Sequence, residues 1–395
     1  MAEKKTKKTT SSKTGTAKIK VVGVGGAGGS AIQRMVAAKI LGVEYIAINT
    51  DNQALSNLSR NIKKIRIGQI TKGQGTGSDV NLGQQAVEKN ASEIKRALQG
   101  ADVIFLTAGF GGGTGTGGTM AIADLLEKTK ALTVAIVTKP FSFEGSQKKS
   151  IAEKGIKKIS NRVDSFIPIF NDKLLQVIDQ STPLLEAFDI ADEVLKQGVQ
   201  GISDILNIPG LINIDFADVK PILQGAGKTL LGIGYGQGEE RVKQAVQGAL
   251  KNSLMSLSIK GATGVVFVIT GSPDLKMMEV NEIAEMITEQ VDPRAKVVFG
   301  AVIDKKLKDK LKITLIATGF DRAHYHGFEA QDLEEEEEDD FTSPRIISQE
   351  KEIHVYKNDD SLNQEDEKIK TDLKTGIEDE LEIPAFLRKK SRKNK

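Results

Sequence analysis

Cysteine is absent from this chain of 395 residues, so neither disulfides nor thiolate metal sites are available to it. Only three histidines occur, and no protein-held metal is expected. No apolar run approaches the roughly 20 residues of a membrane span. The N-terminus, MAEKKTKKTTSSKTGTAK, is basic and rich in Ser and Thr, but it lacks the apolar core of a signal peptide. These absences predict a cytoplasmic protein. The formal net charge is only +2, which removes the overall basic excess of a nucleic-acid binder. A Walker lysine is missing too. Gly225-Ala226-Gly227-Lys228-Thr229 looks like one, but the motif wants glycine five residues before Gly227, where Ile222 stands.

Glycine, by contrast, is abundant and placed. Ala108 to Gly118 reads AGFGGGTGTGG, seven glycines in eleven residues. The stretch follows the apolar Val103-Ile104-Phe105-Leu106 and precedes Met120 to Leu126, where apolar residues recur at helical spacing. The pattern predicts a buried strand, a glycine turn and a helix over 119–130. A bare backbone at a helix N-terminus can aim several N–H groups at an anion. Thr114, Thr116 and Thr119 add hydroxyl donors. A flexible linker is the plainer reading, but linkers are not normally bracketed by a buried strand and a helix.

The same arrangement occurs earlier. A strand from Lys18 to Val24 runs into Gly25-Gly26-Ala27-Gly28-Gly29-Ser30, and Gly23, Gly25 and Gly28 satisfy GxGxxG. The loop Gly68 to Ser78 carries glycines at 73, 75 and 77. GxGxxG alone suggests an NAD(P)-dependent oxidoreductase, with Glu44 or Asp51 on the ribose. Three glycine turns at strand ends suit one polyphosphate nucleotide held from several sides.

Strands near 18–24, 45–49, 62–67, 103–106, 132–137 and 164–170 alternate with helices, including one over 79–98. This predicts an α/β fold with a Rossmann-like, doubly wound parallel sheet whose strand C-ends share one ligand-binding rim. The expected layout is a basic tail (1–17), a nucleotide domain (18–180), a central helix (181–207), a second α+β domain (208–320), a disordered acidic linker (321–380) and a short apolar peptide with a basic end (381–395). In the central helix Thr182 is the N-cap and Pro183 the first helical position. It runs about 24 residues, or roughly 36 Å, long enough to bridge two domains. In the second domain strands are expected near 228–235, 264–270, 296–303 and 311–318. Asn213, Asp215 and Asp218 cluster in a turn just after the central helix. Two acids three apart can face one way with Asn as their partner, and Asp before an apolar helix is equally a cap. Glu144, in Phe143-Glu144-Gly145, reads as a site residue or as a solvated one.

GGGTGTGG after a strand is the signature of the tubulin/FtsZ family, and the chain resembles the bacterial FtsZ branch of it. Gly23 to Gly29, Asn49-Thr50-Asp51, Thr138-Lys139-Pro140-Phe141, Asn171-Asp172-Lys173-Leu174-Leu175, Asn213 to Val219 and Ile383-Pro384-Ala385-Phe386-Leu387-Arg388 match its motifs in order. The resemblance covers 18–320 and that terminal peptide. It implies a GTPase, working with Mg, that polymerises head to tail into the filaments of a division site near the inner face of the membrane. Gly26, Ala27, Gly28, Gly29 and Ser30, with Gly113, Thr114 and Gly115, would contact the phosphates. Gly25, Asn49, Gly109 and Gly112 belong to the same nucleotide-binding set. Glu144 and Lys148 would lie by the ribose and phosphates, Asn171 and Asp192 on guanine, and Phe188 near the base. Asp215 and Asp218, helped by Asn213, would reach the γ-phosphate of the next subunit's GTP and position water. A filament protein that binds nucleotide without hydrolysis leaves those acids as caps. Ile383, Pro384, Ala385, Phe386 and Leu387 would engage a membrane-tethering division protein. Four positions depart from the family pattern: Ser30 for Asn, Lys148 for Arg, Glu193 for Asp, and Gly-Ser-Asp-Val at 77–80 without Asn-Pro.

Overall fold

The computed structural model describes residues 17–40, 42–175, 182–207, 210–251 and 259–320. The expected basic tail, acidic linker and peptide at 383–387 lie outside them. In chain order the elements are β1 (Ile19–Val24), α1 (Gly25–Ala37), β2 (Val43–Asn49), α2 (Asn52–Ser56), β3 (Lys63–Arg66), α3 (Val80–Lys89), α4 (Ala91–Leu98), β4 (Val103–Gly109) and α5 (Gly113–Leu126). There follow β5 (Leu132–Lys139), α6 (Ser146–Ile159), β6 (Ser165–Phe170), α7 (Asn171–Leu174), α8 (Leu184–Asn207) and α9 (Phe216–Leu223). The last are β7 (Gly227–Lys228), β8 (Leu230–Gln237), α10 (Arg241–Lys251), β9 (Gly264–Gly271), α11 (Met277–Thr288), β10 (Lys296–Ile303) and β11 (Lys310–Thr318). No helix among the described residues is long and apolar enough to cross a membrane.

The alternating strands build the doubly wound sheet that the sequence pattern predicts. Its order is β3-β2-β1-β4-β5-β6-β7, with every neighbouring pair parallel. Its central strands β4 and β5 are buried at every position but the last and are mostly apolar, as burial on both faces requires. One face packs on α3, α4, α5 and α6, through residues such as Val87, Ile94, Ile122 and Ile159. The other packs on α1 and α8. A second sheet, β10-β9-β11-β8, is mixed: β9 and β10 run parallel while β11 is antiparallel to both β9 and β8. Its outer face is covered by α10 and α11.

Helix α8 joins the two sheets. Val194, Leu195, Val199 and Ile202 share one buried cluster with Ile136 and Ile167 of the first sheet and Val266, Val268 and Ile316 of the second. Small residues let it come close. A Cβ on Gly198 would meet Ile136 at 3.1 Å, and one on Gly201 would meet Thr314 at 2.9 Å.

Three expectations need correction. The helix expected over 79–98 is two helices, broken at Asn90, whose side chain donates back to the Ala86 carbonyl (2.8 Å). The strand expected over 228–235 is divided between the sheets. β7 pairs with β6, Thr229 N donates to the Phe166 carbonyl (2.8 Å), and β8 then enters the second sheet. Helix α5 begins at Gly113 rather than 119, so half of the glycine stretch is helical.

Candidate nucleotide site

The registers Val24↔Ala108 and Ala108↔Val137 bring the C-ends of β1, β4 and β5 to one rim. Helix α1 starts there at Gly25 and α5 at Gly113, and neither start has a side-chain cap. The two starts touch: Gly25 has φ +73°, and a Cβ on it would lie 3.0 Å from the Gly115 amide nitrogen. Two sets of unpaired N–H groups and two partial positive charges therefore converge, an arrangement suited to an anion. Where a Cβ would stand on Gly26 or Gly112 nothing lies within 4 Å, so the space above the bare backbone is open.

A pocket of about 340 Å³ opens at this rim. Gly26, Ala27, Gly109, Gly112, Gly113, Thr114 and Gly115 line it, and so do Glu144, Lys148, Asn171, Phe188 and Asp192. Twelve residues singled out from the two glycine turns, the 144–148 segment, Asn171 and the central helix thus meet in one cavity. Five others do not line it. Gly25 supports the contact between helix starts. Gly28 serves packing, since a Cβ there would lie 2.5 Å from the Thr107 carbonyl oxygen. Gly29 faces Leu58, and Ser30 is exposed on α1. Asn49 is buried at the end of β2 and accepts from the Asp51 amide (3.2 Å).

Sequence reasoning did not select Thr76, Ser78, Phe110, Thr138, Pro140 and Ala191, which also line the pocket. Thr138 and Pro140 sit inside a motif already quoted. Thr76 and Ser78 belong to the third glycine loop, where Ser78 takes the left-handed φ of +72°.

The hydroxyls divide. Thr114 shares hydrogen bonds with Thr50 (2.6 Å) and Thr76 (3.2 Å). Thr116 accepts from the Gly111 amide (3.0 Å), and Thr119 donates to the Gly115 carbonyl (2.6 Å). Both are fully buried, so of the three threonines only Thr114 serves the pocket. Lys148 Nζ lies 3.1 Å from Glu144 Oε2, while Glu144 Oε1 accepts from the Phe141 amide (3.0 Å). A carboxylate pinned by the backbone thus aims the lysine. Phe188 meets Phe141 edge-on at 5.5 Å, and Phe143 stacks on Phe141 at 5.0 Å. Asp192 is paired with Arg34 Nε (3.3 Å). Burial pushes its carboxyl above the usual range, and Arg34 pulls it back. Asn171 is buried, and its Oδ1 has no partner among the described residues. An orphaned acceptor in a pocket calls for a donor from a ligand. Glu193 is turned away from the cavity onto Lys196.

Asn213, Asp215 and Asp218 are exposed and do not line the pocket. Asn213 Oδ1 accepts from the Gly210 amide (2.7 Å). Asp215 has N-cap backbone geometry at the start of α9, yet its side chain makes no cap bond. The capping reading therefore fails for Asp215.

A parallel sheet with two uncapped helix starts at its C-terminal rim defines a nucleotide-binding α/β protein. Residues 18–179 match the Tubulin/FtsZ family GTPase domain, and residues 227–321 match the FtsZ family C-terminal domain. The chain belongs to the tubulin/FtsZ family. It is similar to the empty FtsZ dimer of M. jannaschii, with 39% identity and a TM-score of 0.73 over 78% of this chain and 89% of that one. It shares its fold with CetZ2 from Haloferax volcanii, solved as a GTPγS-bound protofilament, at 22% identity and a TM-score of 0.67 over 77% of this chain and 94% of that one. The FtsZ among these structures is archaeal, whereas the sequence motifs led to the bacterial branch.

Proposed function

We propose that this protein is a GTP-hydrolysing FtsZ of the bacterial type, that it assembles head to tail, and that each subunit completes the active site of the next. One observation carries the reading. The pocket offers helix-start amides suited to phosphates and acceptors suited to a base but no free carboxylate to orient water, while the side chains of Asp215 and Asp218 stand exposed on another part of the surface with no hydrogen-bond or ion-pair partner among the described residues. Stacking would bring the two halves together, with Asn213 steadying the loop.

Within the pocket, the amides of Gly26, Ala27, Gly113, Thr114 and Gly115 would hold the phosphates, with Lys148 as the side-chain cation. Asn171 Oδ1 and the Asp192 carboxylate would accept from the N–H groups of guanine, and Phe188 would lie against the base. Among the described residues no three His, Cys, Asp or Glu gather as a metal cage. Mg would therefore enter with the triphosphate, whose oxygens supply most of its ligands. In a division role the Ile383–Leu387 segment would bind a membrane-tethering partner.

GTP turnover measured against protein concentration, with light scattering alongside, tests the reading. Activity per molecule is expected to rise steeply above a threshold that coincides with scattering. A rate per molecule independent of concentration overturns it.

A further inference from the structure

A second cavity, about 460 Å³, lies at the N-terminal ends of β5 and β6. Leu132 and Thr133 line it, and Thr138 of the same strand lines the nucleotide pocket. The two sites therefore stand roughly 20 Å apart at about 3.3 Å per residue. Helices α5, α6 and α9 all end here, and cations gather at such C-termini. Lys130, Arg162 and Lys220 line the cavity. Lys128 adjoins it in the α5–β5 turn, and Lys157 and Lys158 form the last turn of α6.

Beside the three lining cations stand two lining carboxylates, Asp164 and Glu127, with Asp124 near them on α5, and two of these three acids are engaged. Asp164 accepts from the Thr133 amide (2.8 Å) and the Gly225 amide (3.3 Å), and Asp124 pairs with Arg162 (3.2 Å). Glu127 is the third. Lys220 Nζ donates to the Lys130 carbonyl (3.0 Å), a neutral partner. The side chains of Lys128, Lys130 and Lys157 make no hydrogen bond or ion pair among the described residues. A cationic surplus is left facing solvent.

The chain itself carries the complement. Glu334 to Asp340 are seven consecutive acids. The described chain ends at Phe320, and that end is tied to α9: Thr318 Oγ1 donates to the Ile222 carbonyl (3.1 Å). Ile222 lies between Lys220 and Gln224, both of which line the cavity. Thirteen residues lie between Phe320 and Glu334. The covalent length of that stretch allows a reach of at most about 50 Å. The acids are thus held within reach of the cations at an effective concentration in the millimolar range.

We infer that this basic face is the docking site of the acidic run 334–340 of the same chain. Individual exposed ion pairs are weak, so the contact is exchanging and salt-sensitive.

Zero-length carbodiimide cross-linking tests this on the full chain, dilute and without nucleotide, with peptides identified by mass spectrometry. Amide links from 334–340 are expected to fall on Lys128, Lys130, Lys157 and Lys220 at least fivefold more often than on the exposed Lys39, Lys276 and Lys305. They should drop at least fivefold between about 0.05 and 0.5 M salt, as the screening length shortens. In a mixture of light and isotopically heavy protein they should join residues of one chain. The surface variant K128E/K130E should lose them while keeping its fold by circular dichroism. Links spread evenly over exposed lysines, or found only between light and heavy chains, overturn the inference.

Discussion

Arg34 on α1 reaches Asp192 on α8 through its Nε at 3.3 Å and pairs with Asp189 through a terminal nitrogen. The helix that begins at the first glycine turn is thereby tied to the helix that carries the proposed guanine contact. An arginine placed this way governs the charge state of a residue in the pocket without lining the pocket itself.

That tie predicts a pH dependence. Burial raises the Asp192 carboxyl above its ordinary 3.8, and Arg34 opposes the rise. Only the ionised carboxylate can accept from two guanine N–H groups at once, so GTP affinity should fall as pH drops through the raised value. Arg34→Ala removes the opposing charge and moves that acid limb to higher pH. Folding stability runs the other way. A raised carboxyl pKa means that the folded state binds the proton more tightly than the unfolded one, so this group costs stability as pH rises from 3.8 through the raised value. Nucleotide affinity titrated between about pH 4.5 and 8 checks the first effect, and an acid limb unmoved by Arg34→Ala would refute it.

Thr50 is fully buried, and its hydroxyl lies 2.6 Å from that of Thr114, the pocket threonine. Thr50→Val keeps the shape and removes this partner, leaving Thr114 with Thr76 at 3.2 Å. The expected cost is about 1–2 kcal/mol of stability, for one buried hydrogen bond. GTP affinity should weaken by less than tenfold, because Thr50 does not line the pocket. A loss greater than a hundredfold with normal stability would show that Thr50 itself contacts the nucleotide.

Asp215 occupies an N-cap position without capping, which separates its two readings. Capping aspartates contribute about 1 kcal/mol. Asp215→Ala should therefore change the unfolding free energy by less than about 0.5 kcal/mol, as surface substitutions do. GTP binding should persist while turnover falls by two to three decades, or about 3–4 kcal/mol of transition-state stabilisation. Urea denaturation beside phosphate release decides it. A destabilised but normally active variant would restore the cap.

The legibility of this chain follows the kind of interaction that decides each element. Strand ends and glycine turns were readable because apolar runs and bare backbone are local signals, and residues from segments far apart in sequence line one pocket. The start of α5 was not. Glycine disfavours a helix locally, yet 113–118 is helical because α3 packs very close. A Cβ on Gly113 would lie 2.2 Å from the Asp79 carbonyl oxygen, and one on Gly117 would lie 2.0 Å from that of Val80. The glycines that read as a turn are also spacers between two helices. The transfer of the chain at Thr229 from one sheet to the other was hidden as well, since 228–235 reads as one strand and only the pairing partners distinguish β7 from β8. Ser78 was missed because a non-glycine residue at positive φ leaves no sequence signal.

Helix α8 offers the sharpest test of how the two sheets depend on each other. Ile202 is fully buried in the cluster that joins Ile136 and Ile167 of one sheet to Val266 and Ile316 of the other. Gly198 and Gly201 bring the helix against both sheets, so little room exists for it to settle into a void. Ile202→Ala should therefore pay both the transfer and the cavity term, about 2–5 kcal/mol. Because one cluster spans both sheets, the loss should appear as a single urea transition at a lower midpoint with an unchanged slope. Two transitions, only one of them shifted, would mean that the sheets fold independently and that α8 belongs to one of them alone.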